Sequence, residues 1–159
     1  MAEVEDKDLG WKQLFTQFTS SKETRVLVGL LRSAGEHKSG NGGKPISVAQ
    51  LGAIHEFGAP GAGIPERSFM RTAVDEGRSK LNKLVDKLAK MVVDGDANEE
   101  KALGILGETV KNMMKAKIRS GLKPPNSPAT IRRKGSSKPL IDTGQLINSI
   151  NWEVMKGGK

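Results

Sequence analysis

The sequence predicts an α+β fold in which a small antiparallel sheet packs against two long helices plus short helices. Two long stretches, residues 70–94 and 98–121, place apolar side chains at helical spacing. Two short stretches, residues 24–32 and 150–155, have the alternating apolar pattern of strands. The length of 159 residues fits one domain. We therefore expect a single α+β domain over residues 23–159, preceded by an N-terminal helical arm over residues 1–22.

The N-terminal arm is predicted to contain a short helix that Asp8 caps. Trp11, Phe15 and Phe18 share one face of this helix at 3.6-residue spacing. An aromatic face of this kind packs either on the core of its own chain or on a neighbouring subunit. The sequence leaves both alternatives open.

The first strand is predicted to pair with the last one. After the first strand, residues 33–45 are rich in Gly, Ser and Lys, and we expect them to form a flexible loop. The glycine run in this loop lacks the GxxxxGK[ST] pattern of a phosphate loop, and Pro45 follows its lysine. A nucleotide site is therefore not expected here.

The rest of the chain is organised around residues 54–70. Ser47 is a good N-cap for the helix that enters this segment, and Gly58 suits its end. The Gly- and Pro-rich residues that follow cannot continue a helix. Because Pro65 and Glu66 have the chemistry of a first helical turn, we expect the next helix to begin there.

Two long amphipathic helices follow, and we expect them to form an antiparallel hairpin. The apolar residues of the first step by four and three along the chain: Met70, Val74, Gly77, Leu81, Leu84, Leu88 and Met91. The second is predicted to start at the cap Asn98 and to end at Gly121. Gly104 and Gly107 lie near its apolar stripe, where we expect them to allow close packing against another element.

Residues 122–139 are predicted to form a basic, proline-containing connector. Ser127 can start one or two helical turns within it. Beyond the connector, Asp142 or Thr143 is expected to cap a single short helix, which leads into the final strand.

The net charge of +8 is concentrated in the last third of the chain. Residues 1–109 carry 15 Lys and Arg against 16 Asp and Glu, whereas residues 110–159 carry 11 against 2. This asymmetry indicates a face that meets nucleic acid, an acidic partner or an anionic surface, or else a solvated basic tail. The candidate DNA-facing residues are Lys111, Lys115, Arg119, Arg132, Arg133 and Lys134.

The composition excludes several kinds of protein and site. The absence of cysteine excludes disulfides, thiolate metal sites and a cysteine nucleophile. No apolar run approaches the ~18 residues that a membrane span needs. The acidic start of the chain, with Glu3, Glu5, Asp6 and Asp8, is the opposite of a signal peptide. We expect a soluble protein of a reducing compartment.

No catalytic constellation is apparent in the sequence, so we expect neither enzymatic activity nor a cofactor or metal. His55 and Glu56 lack the HExxH continuation of zinc proteases. Asp142-Thr143-Gly144 matches the start of an aspartic-protease signature, but that chemistry needs two carboxylates that face each other across a cleft. A capping turn explains this triplet.

Two sequence blocks occur in a particular order. Residues 54–58 read Ile-His-Glu-Phe-Gly, followed at 64–69 by Ile-Pro-Glu-Arg-Ser-Phe. Residues 139–150 read Pro-Leu-Ile-Asp-Thr-Gly-Gln-Leu-Ile-Asn-Ser-Ile. In order and spacing, with two helices between them, these blocks resemble those of the bacteriophage virion-morphogenesis family of tail-completion, neck and head–tail joining proteins. The resemblance covers roughly residues 24–155 and leaves out the aromatic helix of the arm.

The resemblance implies a small non-catalytic α+β virion protein that forms a ring, expected to be a hexamer, at the head–tail junction of a tailed phage. It implies contacts with the connector or head-completion proteins and with tail tube or sheath proteins. It also implies that a basic face meets genomic DNA in the lumen, without a membrane partner, and that assembly takes place in the host bacterial cytoplasm. The residues expected at subunit or partner contacts are Trp11, Phe15, Phe18, His55, Phe57, Ile64, Pro65, Arg67, Phe69, Leu140, Asp142 and Leu146. The alternative is a non-specific DNA-binding accessory protein that uses the basic C-terminal third.

Overall fold

The computed structural model describes residues 24–37 and 44–156, and it has the predicted α+β architecture. The strands and α-helices of these residues are β1 (Arg25–Leu30), β2 (Glu36–His37), β3 (Ile46–Ser47), α1 (Val48–Phe57), α2 (Met70–Val93), α3 (Glu99–Ser120), α4 (Pro128–Lys134), α5 (Gln145–Asn148) and β4 (Ile150–Met155). Short 3₁₀ turns lie at Arg32–Ala34 and Pro60–Ala62. The predicted N-terminal arm, with Trp11, Phe15 and Phe18, lies outside the described residues.

The strands form two antiparallel pairs. β1 pairs with β4 as predicted, with Leu30 opposite Ile150 at one end and Arg25 opposite Met155 at the other. β2 and β3 form a second ladder of two residues each. This ladder joins residues 36–37, which lie within the segment expected to be a flexible loop (residues 33–45), to the two residues that follow that segment, so part of the segment is structured.

The helices α2 and α3 form the predicted antiparallel hairpin. The end of the Met113 side chain of α3 packs directly against Gly77 of α2. Asn98 caps α3 as predicted, because its side-chain oxygen accepts a hydrogen bond of 2.8 Å from a main-chain N–H in the first turn. Gly121 ends the helix, also as predicted. Residues 92–100, at the turn between the two helices, are called the hairpin tip below.

The helix α3 also packs closely on the sheet, through the two glycines that were predicted to allow such contact. A Cβ added at Gly107 would lie 2.8 Å from Val26 of β1 and 2.9 Å from the Trp152 ring of β4. At Gly104 the nearest Trp152 atom would be 3.2 Å away. The Trp152 indole N–H donates a 2.8 Å hydrogen bond to Glu108 on the same helix. The sheet is thus held against α3 by close packing at the two glycines and by the hydrogen bond between Trp152 and Glu108.

The core lies at the end of the hairpin that is remote from its tip. Phe69, Ile118, Ile150 and Val48 are its largest fully buried side chains. The other buried members come from α2, α3, α5 and the segments beside them: Ala73, Met114, Leu122, Leu140, Leu146 and Ile147. Burial of this apolar set brings α1 and α5 against the open end of the hairpin.

The helix α2 begins at Met70, so the prediction that it starts at Pro65 and Glu66 is wrong. Residues 65–68 belong to neither a helix nor a strand, and the Arg67 N–H donates to the His55 carbonyl at 2.8 Å. Gly58 makes this arrangement possible with a φ of 75°, which favours glycine.

The cap of α5 also differs from the prediction. Gly144, with a φ of 79°, takes the N-cap position. The Thr143 hydroxyl accepts a 3.3 Å hydrogen bond from the Gln145 N–H, whereas Asp142 makes no capping bond.

Candidate interface groove

A groove of about 790 Å³ lies where α1, the turn after it, α4 and α5 meet. We call it the basic groove because its charged lining consists of four cations and one carboxylate: Lys44, Arg67, Arg133, Lys134 and Asp142. Its apolar lining is formed by Ile46, Leu51, Ile64, Pro65, Pro125, Leu140 and Leu146. The groove therefore combines an apolar surface with an excess of positive charge.

The two sequence blocks meet in this groove, although two long helices separate them along the chain. Seven of the nine described residues that were predicted at subunit or partner contacts line it: His55, Ile64, Pro65, Arg67, Leu140, Asp142 and Leu146. The first block supplies one wall through α1 and its turn, and the second supplies the other through α5 and the residues before it.

Glu56 fixes the first wall to the start of α2. Its carboxylate is almost fully buried and accepts hydrogen bonds from the Ser68 hydroxyl (2.7 Å), the Met70 N–H (2.9 Å), the Arg71 N–H (3.0 Å) and the Arg71 Nε (3.2 Å). Burial raises the pKa of Glu56, but the hydrogen bonds from Arg71, Met70 and Ser68 outweigh it and hold this pKa below its ordinary value. Glu56 thus acts as the capping acid of a helix that begins elsewhere in the chain.

Arg67 is a buried cation in the groove wall. Its Nε donates to the Pro124 carbonyl at 2.9 Å and its Nη2 to the Pro125 carbonyl at 3.2 Å. No ion pair to Arg67 forms within residues 24–37 and 44–156. Burial lowers the pKa of Arg67, yet a guanidinium stays protonated at physiological pH. The fold therefore keeps a positive charge here that only carbonyl oxygens satisfy.

His55 lines the same wall and is neutral at pH 7. Burial, together with the nearby charges of Arg67 and Lys134, lowers the pKa of His55 from 6.5 to about 4. Its Nδ1 is buried and has no hydrogen-bond partner among the described residues. The groove wall thus contains a polar atom whose hydrogen-bonding capacity is unused.

Lys134 shows that like charges crowd the groove. Burial lowers the pKa of Lys134, Asp142 raises it, and the neighbouring Arg67 and Arg133 lower it again. A single carboxylate therefore faces several cations. A ligand that brings further carboxylates would relieve this repulsion.

The two phenylalanines on either side of the turn differ in exposure. Phe57 is 63% exposed, and the Arg71 guanidinium carbon lies 5.0 Å from the centre of its ring. Phe69 is fully buried in the core. Of the two, only Phe57 offers its ring to a partner.

The six candidate DNA-facing residues fall into two groups. Lys111, Lys115 and Arg119 share one face of α3, and Arg132, Arg133 and Lys134 lie on α4. Lys111 is paired with Glu108 at 2.6 Å. Burial and the charges of Lys111 and Arg119 lower the pKa of Lys115. Of the six, Arg133 and Lys134 line the groove.

Two residues with structural roles at the groove were missed by the sequence analysis. In the sequence analysis Glu56 was considered only as a neighbour of His55. The one sequence feature that points to its role is indirect: α2 has Phe69 at its N-cap, whose side chain cannot accept a hydrogen bond, so the first N–H groups of the helix need an acceptor from elsewhere. Gln145 contacts the His37 ring at 2.8 Å and donates to the Glu36 carbonyl at 2.9 Å, which ties α5 to β2.

No group of three or more His, Asp or Glu side chains in the described part of the chain is arranged to hold a metal ion. None of the described helices is long and apolar enough to cross a membrane. Comparison of the chain with protein-family models, curated proteins and solved structures found no match.

Proposed function

We propose that this chain is a structural virion protein that forms a ring at the head–tail junction of a tailed bacteriophage and joins the tail to the capsid connector. The observation that carries the proposal is the meeting of the two family-like sequence blocks in one groove. Two sequence blocks that are distant along the chain and adjacent in the fold are expected where both contribute to one functional surface. The groove has the mixed apolar and charged lining of a protein-contact surface.

Exposed apolar side chains on other surfaces support an assembly role. Phe57 and Val93 are 63% and 49% exposed, on α1 and at the end of α2. Leu27 and Met155 are 38% and 39% exposed on the sheet. A ring would cover part of this apolar surface.

A non-catalytic role is supported by the structural role of Glu56, the buried carboxylate beside His55 in the described part of the chain. Glu56 accepts four hydrogen bonds that cap α2, so it is occupied as a structural acceptor. His55, beside it, is neutral and partly buried.

The test is the solution mass of the purified full chain at low and at high salt, followed by electron microscopy of the same fractions. We expect a species of several times 17.1 kDa that is ring-shaped in images and that persists at high salt. A chain that stays monomeric at high concentration at both salts would overturn the proposal. So would duplex DNA binding by a monomer that disappears as salt rises, because phosphate contacts weaken steeply with salt; that result would favour the DNA-binding alternative.

A pair of matched variants tests whether the turn after α1 lies at a contact. We expect Phe57→Ser to shift the mass distribution toward the monomer. The variant lacks the aromatic ring that is exposed in the single chain and that the proposed assembly would bury between subunits. Val85→Ser removes another exposed apolar side chain, on α2 away from the groove, and serves as the control. An equal effect of both variants, or none from Phe57→Ser, would exclude the turn from the contact.

A further inference from the structure

The basic groove and the hairpin tip are opposite in charge and lie at opposite ends of the molecule. Residues 92–100 of the tip carry four carboxylates and no Lys or Arg, although Lys90 and Lys101 flank them. Asp94 and Asp96 are exposed, and within the described part of the chain neither forms an ion pair.

The tip also offers an apolar contact. Val93, the last residue of α2, is 49% exposed directly beside Asp94. The tip is well ordered by its own hydrogen bonds, since the Asp96 N–H donates to the Met91 carbonyl at 2.9 Å and the Asp94 N–H to the Lys90 carbonyl at 2.8 Å. It is therefore a compact knob with one apolar side chain and at least two free carboxylates.

The groove matches this knob in chemistry. It has the cations Lys44, Arg67 and Arg133 beside the apolar Ile64 and Leu51. A phosphate or a bare anion would leave the apolar lining exposed, whereas a protein knob with acids and a valine would cover both kinds of surface.

The tip of a chain cannot reach the groove of that chain. The helix α3 has 22 residues, which gives a length of ~33 Å at the usual rise per residue. Its C-terminal end, with Ile118, belongs to the core that also contains the groove residues Leu140 and Leu146, while its N-terminal end forms the tip. A rigid hairpin thus separates the two surfaces, and any contact between them must join two copies.

We propose that the acidic hairpin tip of one copy docks in the basic groove of the next copy. The contact is head-to-tail, so the same two surfaces repeat around the assembly, and such contacts form a ring when the rotation closes. This inference rests on the proposed ring and names the surfaces that build it. It makes the groove of each subunit complete only when a neighbour is present.

Charge reversal in the full-length chain tests the docking. We compare a groove variant, Lys44→Glu with Arg133→Glu, and a tip variant, Asp94→Lys with Asp96→Lys. Each alone should weaken self-association by at least about 10-fold, because like charges then face each other. Mixing the two variants should restore association. The acidic tip of the groove variant then faces the basic groove of the tip variant, and the lysine tip of the tip variant faces the acidic groove of the groove variant.

Two control variants reverse charges of the same sign elsewhere, two cations in one variant and one acid in the other. Arg132→Glu with Lys138→Glu alters two exposed cations in and after α4 that do not line the groove. Asp86→Lys alters an exposed acid in the middle of α2. These variants should associate as the unchanged chain does. Equal weakening by controls and test variants would mean that net charge alone is responsible, and the docking would be refuted.

A cross-link reports the contact without requiring a closed ring. Since the chain has no cysteine, Asp96→Cys and Thr130→Cys each introduce a single thiol, one at the tip and one in the groove lining. A mixture of the two variants should form a disulfide-linked heterodimer on oxidation, and replacing Asp96→Cys by Ser79→Cys, an exposed site mid-hairpin, should abolish it.

The outcomes separate this inference from the proposed function. Rings without the tip–groove cross-link would refute the docking and leave the ring intact. The cross-link in open filaments or dimers, with no ring, would support the docking and refute the ring. A cross-link from Asp6→Cys to the groove in place of the one from the tip would refute the tip as occupant and assign the acidic N-terminal arm.

Discussion

Glu56→Gln is the substitution that most directly tests how the groove is held together. Glu56 is 2% exposed, and its Oε1 accepts from Ser68 and twice from Arg71, while its Oε2 accepts from the Met70 N–H. A glutamine keeps one accepting oxygen. If that oxygen replaces Oε1, the amide NH₂ faces the Met70 N–H, so a donor meets a donor.

The expected loss of stability follows from these four bonds. One main-chain donor at the start of α2 loses its acceptor, which costs about 1–3 kcal/mol for a buried group. The remaining bonds lose the charge of the acceptor, and charged hydrogen bonds are stronger than neutral ones by roughly 1 kcal/mol each. Allowing for relaxation of the turn, we expect a fall of about 2–4 kcal/mol in the free energy of unfolding, or roughly 5–15 °C in Tm for a domain of this size.

Urea unfolding followed by far-ultraviolet circular dichroism measures this change. Glu66→Gln is the control, because Glu66 also pairs with Arg71, at 2.7 Å, but is exposed, and exposed ion pairs contribute little. Glu56→Gln should shift the urea midpoint with an unchanged slope, and Glu66→Gln should hardly shift it. Equal small shifts for the two variants would show that the Glu56 network does not stabilise the turn, and the account of the groove wall given above would fail.

Three further predictions concern other parts of the fold. The pKa of His55 falls from 6.5 to about 4 on folding, so between these pH values the unfolded chain binds a proton at His55 and the folded chain does not. The free energy of unfolding should therefore fall as the pH drops from 6.5 towards 4, by at most about 1.4 kcal/mol per pH unit. In urea titrations at a series of pH values, His55→Gln should reduce this dependence on pH. Gly107→Ala should destabilise the protein by about 1–3 kcal/mol in thermal unfolding, because its Cβ would overlap the Trp152 ring. Gly104→Ala should destabilise it clearly less, because the Trp152 ring lies farther away there. Equal losses of stability in the two variants would refute the proposed packing at Gly107. Asn98→Ala should cost about 1 kcal/mol through loss of the α3 cap, and Asn98→Ser should retain most of it in the same assay.

The local elements could be predicted from the sequence because their signals are local. The spacing of apolar residues along α2 and α3 and the cap at Asn98 define the hairpin. The alternation of Trp152 with exposed neighbours defines β4. The close approach at Gly107 was also predictable, since a glycine beside an apolar stripe favours contact with another element.

The groove could not be predicted because the interactions that form it connect distant parts of the chain. The start of α2 depends on a carboxylate from α1, so Pro65 has the sequence signal of a helix start although the helix begins only at Met70. The exposure of Phe57 and the burial of Phe69 depend on which side of the turn faces the core, and periodicity does not give that information. The burial of the Arg67 cation could not be predicted, since it follows from the packing of the connector against the turn.

The pairing of β1 with β4 has a consequence for the order of events during synthesis. About 120 residues separate the two strands, so at roughly 5–20 residues per second the first strand waits about 6–24 s on the ribosome before its partner is made. The hairpin, built from neighbouring helices, can form during that wait, whereas the sheet must come last. A nascent chain interrupted before Ile150 would have the acidic tip but an unpaired first strand, and unpaired strand edges of this kind are prone to aggregation.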